Sequence, residues 1–316
     1  MHLRAAGLIL AIAVLAGCRT ETAAPRREQT PEAIAYEKAI KGSLYAGDDL
    51  EYLVALDDRV RQWNQAHEKF DFREEQRLAG DLRRAVDQRM DFLVHVLASH
   101  DLEGRLVAAS ALGFSGDRAA VEPLLAAGGD ENLEVRTNAF FAIGILGSHE
   151  TPMDPLLVAM HDQNSEVRAA AAFAIAGTVS LGNDRGSYAS LVEALGDEDW
   201  RVANHAVRAL GIIQKRECVQ VLIQRGLRSP AYLVRLNSAA ALAAIRSPEA
   251  LEPLIDSLKD GEPQVQKMAT FALEKITGES FGNDEPKWRD WWREAKEKYF
   301  PPAQPPQPPN NPPDGK

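Results

Sequence analysis

The chain has few of the groups from which a catalytic or metal centre is built. Its 316 residues contain two cysteines, Cys18 and Cys218, too few for a disulfide framework or a cysteine-rich metal site. The seven histidines are dispersed. His95 and His100 fall on different helix faces rather than in ligand register, and His161-Asp162 reads as a turn. No G-x-S-x-G occurs, and no glycine loop suited to phosphate. The nearest stretch, Thr277-Gly278 to Phe281-Gly282-Asn283, lacks a following Lys-Ser or Lys-Thr and reads as a linker. No apolar run reaches the roughly 20 residues of a spanning helix. Lys and Arg total 36 against 46 Asp and Glu, a net charge of −10. That balance argues against nucleic acid, whose phosphates demand a positive patch. Neither catalysis nor a cofactor nor a metal is expected.

What the chain has in abundance is repetition. One ten-residue phrase occurs six times, beginning at Gly104, Val135, Val167, Val202, Val234 and Val265. The eighth position is always alanine (Ala111, Ala142, Ala174, Ala209, Ala241, Ala272) and the ninth always Leu or Ile. The first, fifth, eighth and ninth positions are apolar or small, which is one face of a helix. Upstream of most phrases lies a shorter apolar run, such as Val121-Glu-Pro-Leu-Leu125 and Leu251-Glu-Pro-Leu-Ile255. Proline fits there because a first helical turn has no N–H bond to lose. Each copy therefore reads as first helix, polar turn, second helix. Because a lone helical hairpin cannot bury its apolar face, copies at this period must stack. Gly113, Gly147 and Gly211 fall near the expected ends of second helices, where left-handed caps are wanted.

The Pro-Leu-Leu of the first helix, the Asp-x5-Arg and the Ala-x2-Ala-Leu/Ile-Gly of the second resemble HEAT repeats, in the short bacterial form also seen in phycobilisome lyases. The likeness covers about 119–277, with a degenerate copy from about 90. It implies an all-α, right-handed α-solenoid of about six hairpins, with helical caps at both ends. In that family Asp and Arg form a ladder between repeats. Here Asp130/Arg136 and Asp162/Arg168 keep both members, whereas Arg235 accompanies Ser229, Asp197 faces Ala203 and Asp260 faces Gln266. Counted this way, later repeats depend more on apolar packing.

The array needs closure at its ends. Thr30-Pro31-Glu32 is a helix start, Asp48–Phe70 carries Leu50, Leu53, Leu56, Val60, Trp63 and Phe70 at helical spacing, and Phe72–Leu97 reads as one further amphipathic helix. The expected divisions are an N-terminal cap over 31–88, the array over 89–278 and a Trp-rich capping helix over 279–300. Trp288, Trp291 and Trp292 there form a packing stripe rather than a ligand box. The eight prolines of 301–316 predict an extended, disordered tail.

The first 17 residues have one Arg and a short apolar run, as in a secretory leader. Leu15-Ala16-Gly17-Cys18 resembles the lipobox of bacterial lipoproteins, which implies lipidation of Cys18 and a polar tether over 18–30. Each buried acyl methylene contributes about 0.8 kcal/mol to anchoring. The expected location is the periplasmic side of the cell envelope. Arg19 after the cysteine favours the outer membrane by the same resemblance.

Function is expected to lie on the second helices, which line the concave side in HEAT arrays. Asn138, Phe141, Phe173, His205, Arg208 and Asn237 are the candidate groove, with aromatic, amide and cationic groups suited to an extended protein or peptide partner. The competing reading of Phe141 and Phe173 is packing between repeats. A lyase-like enzyme and a purely structural envelope protein are the alternative functions.

Overall fold

The structure, a computed structural model, describes residues 45 and 47–300. The leader, Cys18, the tether, the Thr30 helix start and the 301–316 tail lie outside the described residues. Those described form fifteen α-helices and no strand; one isolated bridge joins Ser180 and Asn183. The helices are α1 Asp48–Glu68, α2 Phe72–Gln88, α3 Met90–Leu97, α4 Leu102–Leu112 and α5 Val121–Ala127. Next come α6 Leu133–Leu146, α7 Met153–Ala159, α8 Ser165–Thr178, α9 Tyr188–Ala194 and α10 Trp200–Ile213. The last are α11 Cys218–Val221, which runs into a π turn to Gly226, α12 Tyr232–Ile245, α13 Leu251–Ser257, α14 Pro263–Thr277 and α15 Glu285–Tyr299.

Six hairpins (α3/α4, α5/α6, α7/α8, α9/α10, α11/α12, α13/α14) stack into an α-solenoid. The second helices α4, α6, α8, α10, α12 and α14 pack each on the next in one continuous row, while adjacent first helices touch little. The array therefore curves toward the second-helix row. The six recurrent alanines are 0–2% exposed, and the Leu or Ile after each is fully buried. With only a methyl at the crossing, neighbouring backbones come close enough for the larger side chains to interdigitate. Glycine extends the device. A Cβ on Gly113 would lie 2.8 Å from the Cα and O of Ala142, and one on Gly177 would strike the backbone of Gly144. Gly113 is thus a close-approach residue with helical φ −60, not a left-handed cap. Gly211 likewise lies inside α10. Of the three expected caps only Gly147 turns left-handed, joined by Gln214, Arg246 and Gly278.

Asx side chains start most second helices. Asp101, Asn132, Asn164 and Asp199 accept backbone N–H groups of their own first turns. The ladder works differently from the count within each copy. Arg105 grips Asp130 with Nε and Nη2 at 2.9 and 3.3 Å, Arg168 grips Asp197 at 2.8 and 2.9 Å, and Arg235 grips Asp260 at 2.7 and 2.8 Å. Each bridge runs from one second helix to the turn of the following hairpin. In each, Nη1 also donates to a carbonyl in the arginine's own turn. Three mostly buried rungs therefore exist, one of them late in the array, and Asp197 and Asp260 are full members. Where Ala203 removes the arginine, Ser229 removes its acceptor. The serine keeps only the local duty, accepting the N–H of Ala231 as the aspartates accept theirs. Arg136 bonds to the carbonyls of Asp130 and Glu131 and forms no ion pair with Asp162.

The caps also differ from expectation. The helix expected over Phe72–Leu97 is broken at Arg89, with φ −137. The Arg89 guanidinium pairs with Asp49 and lies 4.7 Å from the Tyr52 ring centre and 4.2 Å from that of Phe92. Held on three sides, it fixes a corner that frees α3 to pair with α4. Phe70, expected in the packed stripe, sits exposed in the turn with φ 57. At the other end α15 packs on α13, taking the place of a seventh first helix. Trp288 is completely buried, with its indole donating to the Gly282 carbonyl at 2.8 Å.

The rungs set the first test. Arg168→Ala leaves Asp197 unpaired in a largely buried position and should cost about 3 kcal/mol. Arg136→Ala, which loses only turn contacts, should cost about 1 kcal/mol. Urea unfolding of the two variants measures the difference, and equal losses would show that the rung contributes nothing beyond its turn.

Candidate functional site: an aromatic strip on the second-helix row

The close spacing of α6, α8 and α10 places equivalent positions of adjacent copies side by side. Phe141 on α6, Phe173 on α8 and His205 on α10 make a chain of rings. The Phe141 and Phe173 centroids are 5.4 Å apart at 57°, and Phe173 meets His205 edge-on at 5.4 Å. The Arg208 guanidinium stands 5.2 Å from the centre of the Phe173 ring, within cation–π reach. All four side chains, and Asn138 near them on α6, are partly exposed. Phe173 does two things at once. Its ring lies against Gly144 so closely that a Cβ there would collide with it, and it remains partly exposed. The packing reading and the surface reading are thus both partly realised in one residue.

His205 is set by this environment. Arg208 donates through Nη1 to His205 Nδ1 at 3.2 Å, so that nitrogen carries a lone pair and no proton. Burial is the first cause that pushes the imidazole down to about 3, the Arg208 and Arg201 cations are the next, and Asp199 opposes them. The ring is neutral at physiological pH and serves as an acceptor that orients Arg208.

Asn237 does not belong to the strip. It is 4% exposed and donates through Nδ2 to Asn204 Oδ1 at 2.7 Å. This buried amide pair ties α10 to α12 at the joint where Ala203 and Ser229 have removed the rung. The sequence signal for it was available: two asparagines 33 apart, on adjacent second helices, at the copy that lacks its ladder arginine. Near the same joint Lys215 pairs with Asp184 at 3.1 Å, and burial raises the Cys218 thiol to about 11, so it is protonated and inert.

A second concavity of about 1050 Å³ opens at the joint of α5/α6 with α7/α8, lined by Arg136, Asp162, Val158 and Phe140 among others. Phe140 sets this copy apart. It is buried where the other copies carry Ala, Val or Thr, and its ring occupies the space above Gly128. His161 borders this opening and is exposed, as are His95 and His100. Among the described residues no group of three or more His, Cys, Asp or Glu could hold a metal ion.

The HEAT-repeat family profile matches residues 90–176, 153–226 and 219–284, more than half of the chain. The protein belongs to the HEAT-repeat family. Among solved structures it is similar to an engineered protein at 25% identity, over 63% of this chain and 97% of that one, with a TM-score of 0.47. It is also similar to a designed armadillo repeat protein in complex with a (KR)4 peptide, at 24% identity, over 70% and 99%, TM-score 0.43. A third is the complex of CpcE and CpcF of phycocyanin lyase from Nostoc, at 24% identity, over 59% and 76%, TM-score 0.47. No curated relative matches the sequence.

The neutral imidazole has a measurable consequence. Between about pH 6.5 and pH 3 the unfolded chain protonates His205 and the folded chain does not. The unfolded state then binds more protons, so stability falls as pH drops through this window. Asp199 and Glu249, both held down to about 2, lose their contributions only at lower pH, once unfolded carboxylates begin to titrate. The fall in melting temperature between about pH 6.5 and pH 4.5 should therefore be smaller in His205→Gln than in the unaltered protein. Identical slopes would show that His205 titrates normally.

Proposed function

We propose that the protein is a binding scaffold of the bacterial cell envelope, held to a membrane by lipid on Cys18 and presenting its second-helix row to a protein partner. The observation that carries the binding role is the strip Phe141–Phe173–His205–Arg208, partly exposed across three successive helices. Aromatic rings with an oriented guanidinium are the groups that anchor partners, because they bury large area with few rotamers lost. The length of the strip suits an extended segment better than a compact ligand. The role is non-catalytic: the imidazole in the strip is already bonded to Arg208 and does not ionise near neutrality.

The anchor rests on the apolar leader and the Leu15-Ala16-Gly17-Cys18 sequence. Arg19 at the following position supports outer-membrane rather than inner-membrane placement by resemblance to Gram-negative lipoproteins.

Crosslinking pull-down from native membranes tests the strip. Phe141→Ala and Arg208→Ala should each reduce partner capture by about tenfold, equivalent to roughly 1.4 kcal/mol, while leaving helix content unchanged. Undiminished capture by the double variant would place the partner elsewhere. The anchor is tested separately: Cys18→Ser should abolish labelling by radioactive palmitate and release the protein from the membrane fraction, and retained labelling would exclude Cys18 as the acceptor.

A further inference from the structure

The joint between α6 and the α7/α8 turn carries both members of a rung and does not close it. In the closed rungs Nη1 of the arginine bonds to carbonyls of its own turn, which leaves Nε and Nη2 to grip the next aspartate. Arg136 is held the same way, with Nη1 donating to the Asp130 and Glu131 carbonyls at 2.8 and 3.1 Å. Asp162 is also set as its counterparts are. Its Oδ1 accepts the Asn164 N–H at 2.8 Å, as Asp130, Asp197 and Asp260 accept theirs. Among the described residues no ion pair joins the two side chains, and neither Nε nor Nη2 of Arg136 has a bonding partner. Two half-rungs, each built as in the closed ones, stand apart.

The concavity of about 1050 Å³ lies at this joint, and Arg136 and Asp162 both line it. Its size is at the upper end of ligand clefts, roughly 300–1,000 Å³. Near their other ends α6 and α8 meet backbone to backbone at Gly144 and Gly177, so the joint is closed there and open here. Leu125, Phe140 and Pro155 supply apolar wall. Val158, also in the lining, is 73% exposed, whereas the corresponding positions of other first helices hold Ala126, Glu193, Arg225 and Asp256. Apolar surface with a few convergent polar groups is the make-up of a binding cleft.

We propose that the open rung is a peptide-binding site, completed by a segment that brings its own pair of opposite charges. The carboxylate of an acidic residue takes the Nε and Nη2 edge of Arg136, as Asp197 takes that of Arg168. The cation of a basic residue meets Asp162, and an apolar residue between them rests on Val158. A ligand with one charge would answer only half of the rung, and a neutral one would answer neither half. The volume suits a few residues of peptide better than a lone ion. Arg136 and Phe141 are five residues apart on α6, about 140° around the helix, so this site is independent of the strip on the second-helix row.

The test follows the Val158 methyl resonances of the full-length protein as acetyl-Glu-Leu-Arg-amide is added to about 10 mM. They should shift and saturate, whereas acetyl-Gln-Leu-Gln-amide should bind about tenfold more weakly. Asp162→Asn keeps the oxygen that accepts the Asn164 N–H and removes the charge. Arg136→Gln keeps a donor for the turn, as Gln266 does in the last copy by donating to the Asp260 carbonyl at 2.6 Å. Each should weaken the charged peptide about fivefold, the upper range for one partly exposed ion pair, with helix content unchanged. If Arg136→Gln loses helix content, Asp162→Asn decides alone. Phe141→Ala should leave the affinity unaltered. A shift that is absent or never saturates, equal affinity for the two peptides, or no loss on removing the charges would overturn the proposal. So would a loss in Phe141→Ala, since the peptide would then lie on the strip, and an equal response to free leucine, since a single zwitterion would then suffice.

Discussion

Everything in this molecule depends on how closely one second helix can approach the next. A methyl group at the eighth position of every phrase sets that distance, and glycines at Gly113, Gly144 and Gly177 shorten it further where two backbones touch. From this single steric condition follow the continuous row, its inward curvature and the alignment of side chains from successive copies. The strip of Phe141, Phe173 and His205 exists because three helices are close enough for their rings to meet. A larger residue at the crossing would separate the rings before it unfolded any single hairpin.

Electrostatics plays a different part. The Arg–Asp rungs lie along the edge where the turns are, and each ties one hairpin to the next through a planar, bidentate contact. Their cause can be seen in Arg168, whose guanidinium is held above its ordinary value first by the hydrogen bond to Asp197. In Asp260 the hydrogen bond from Arg235 lowers the carboxyl correspondingly. Where the rung is missing between α10 and α12, a buried amide pair, Asn204–Asn237, supplies a neutral tie. The two devices are alternatives at the same joint. Neither is needed for the helices to form, since the turns are capped locally whether the residue is Asp or Ser.

The repeat was legible because alanine at a fixed spacing has one physical meaning, and the hairpins, the row and the buried alanines follow from it. The rungs were misassigned because sequence proximity groups Asp130 with Arg136, whereas the guanidinium reaches forward one hairpin. The paired loss at Ala203 and Ser229 was the available clue to the true partnership. The break at Arg89 was hidden, since the apolar period continues through it and two of the groups that hold the Arg89 guanidinium at the corner, Asp49 and Tyr52, lie on another helix. For the site, spacing could place Phe141 and Phe173 on a common surface. It could not separate Arg208, whose charge lies over a ring, from Asn237, whose amide faces inward to a neighbour.

The rungs also impose a longer period on the array than the one first read in the chain. They join α4 to the second hairpin, α8 to the fourth and α12 to the sixth, and skip the two joints between. Along its charged edge the solenoid is thus a string of three clasped doublets. The first unclasped seam runs between Phe141 and Phe173, where the touching backbones of Gly144 and Gly177 take the place of a clasp. A partner laid across those two rings would rest on a joint held by apolar contact alone, so its grip would depend on the spacing of those two helices.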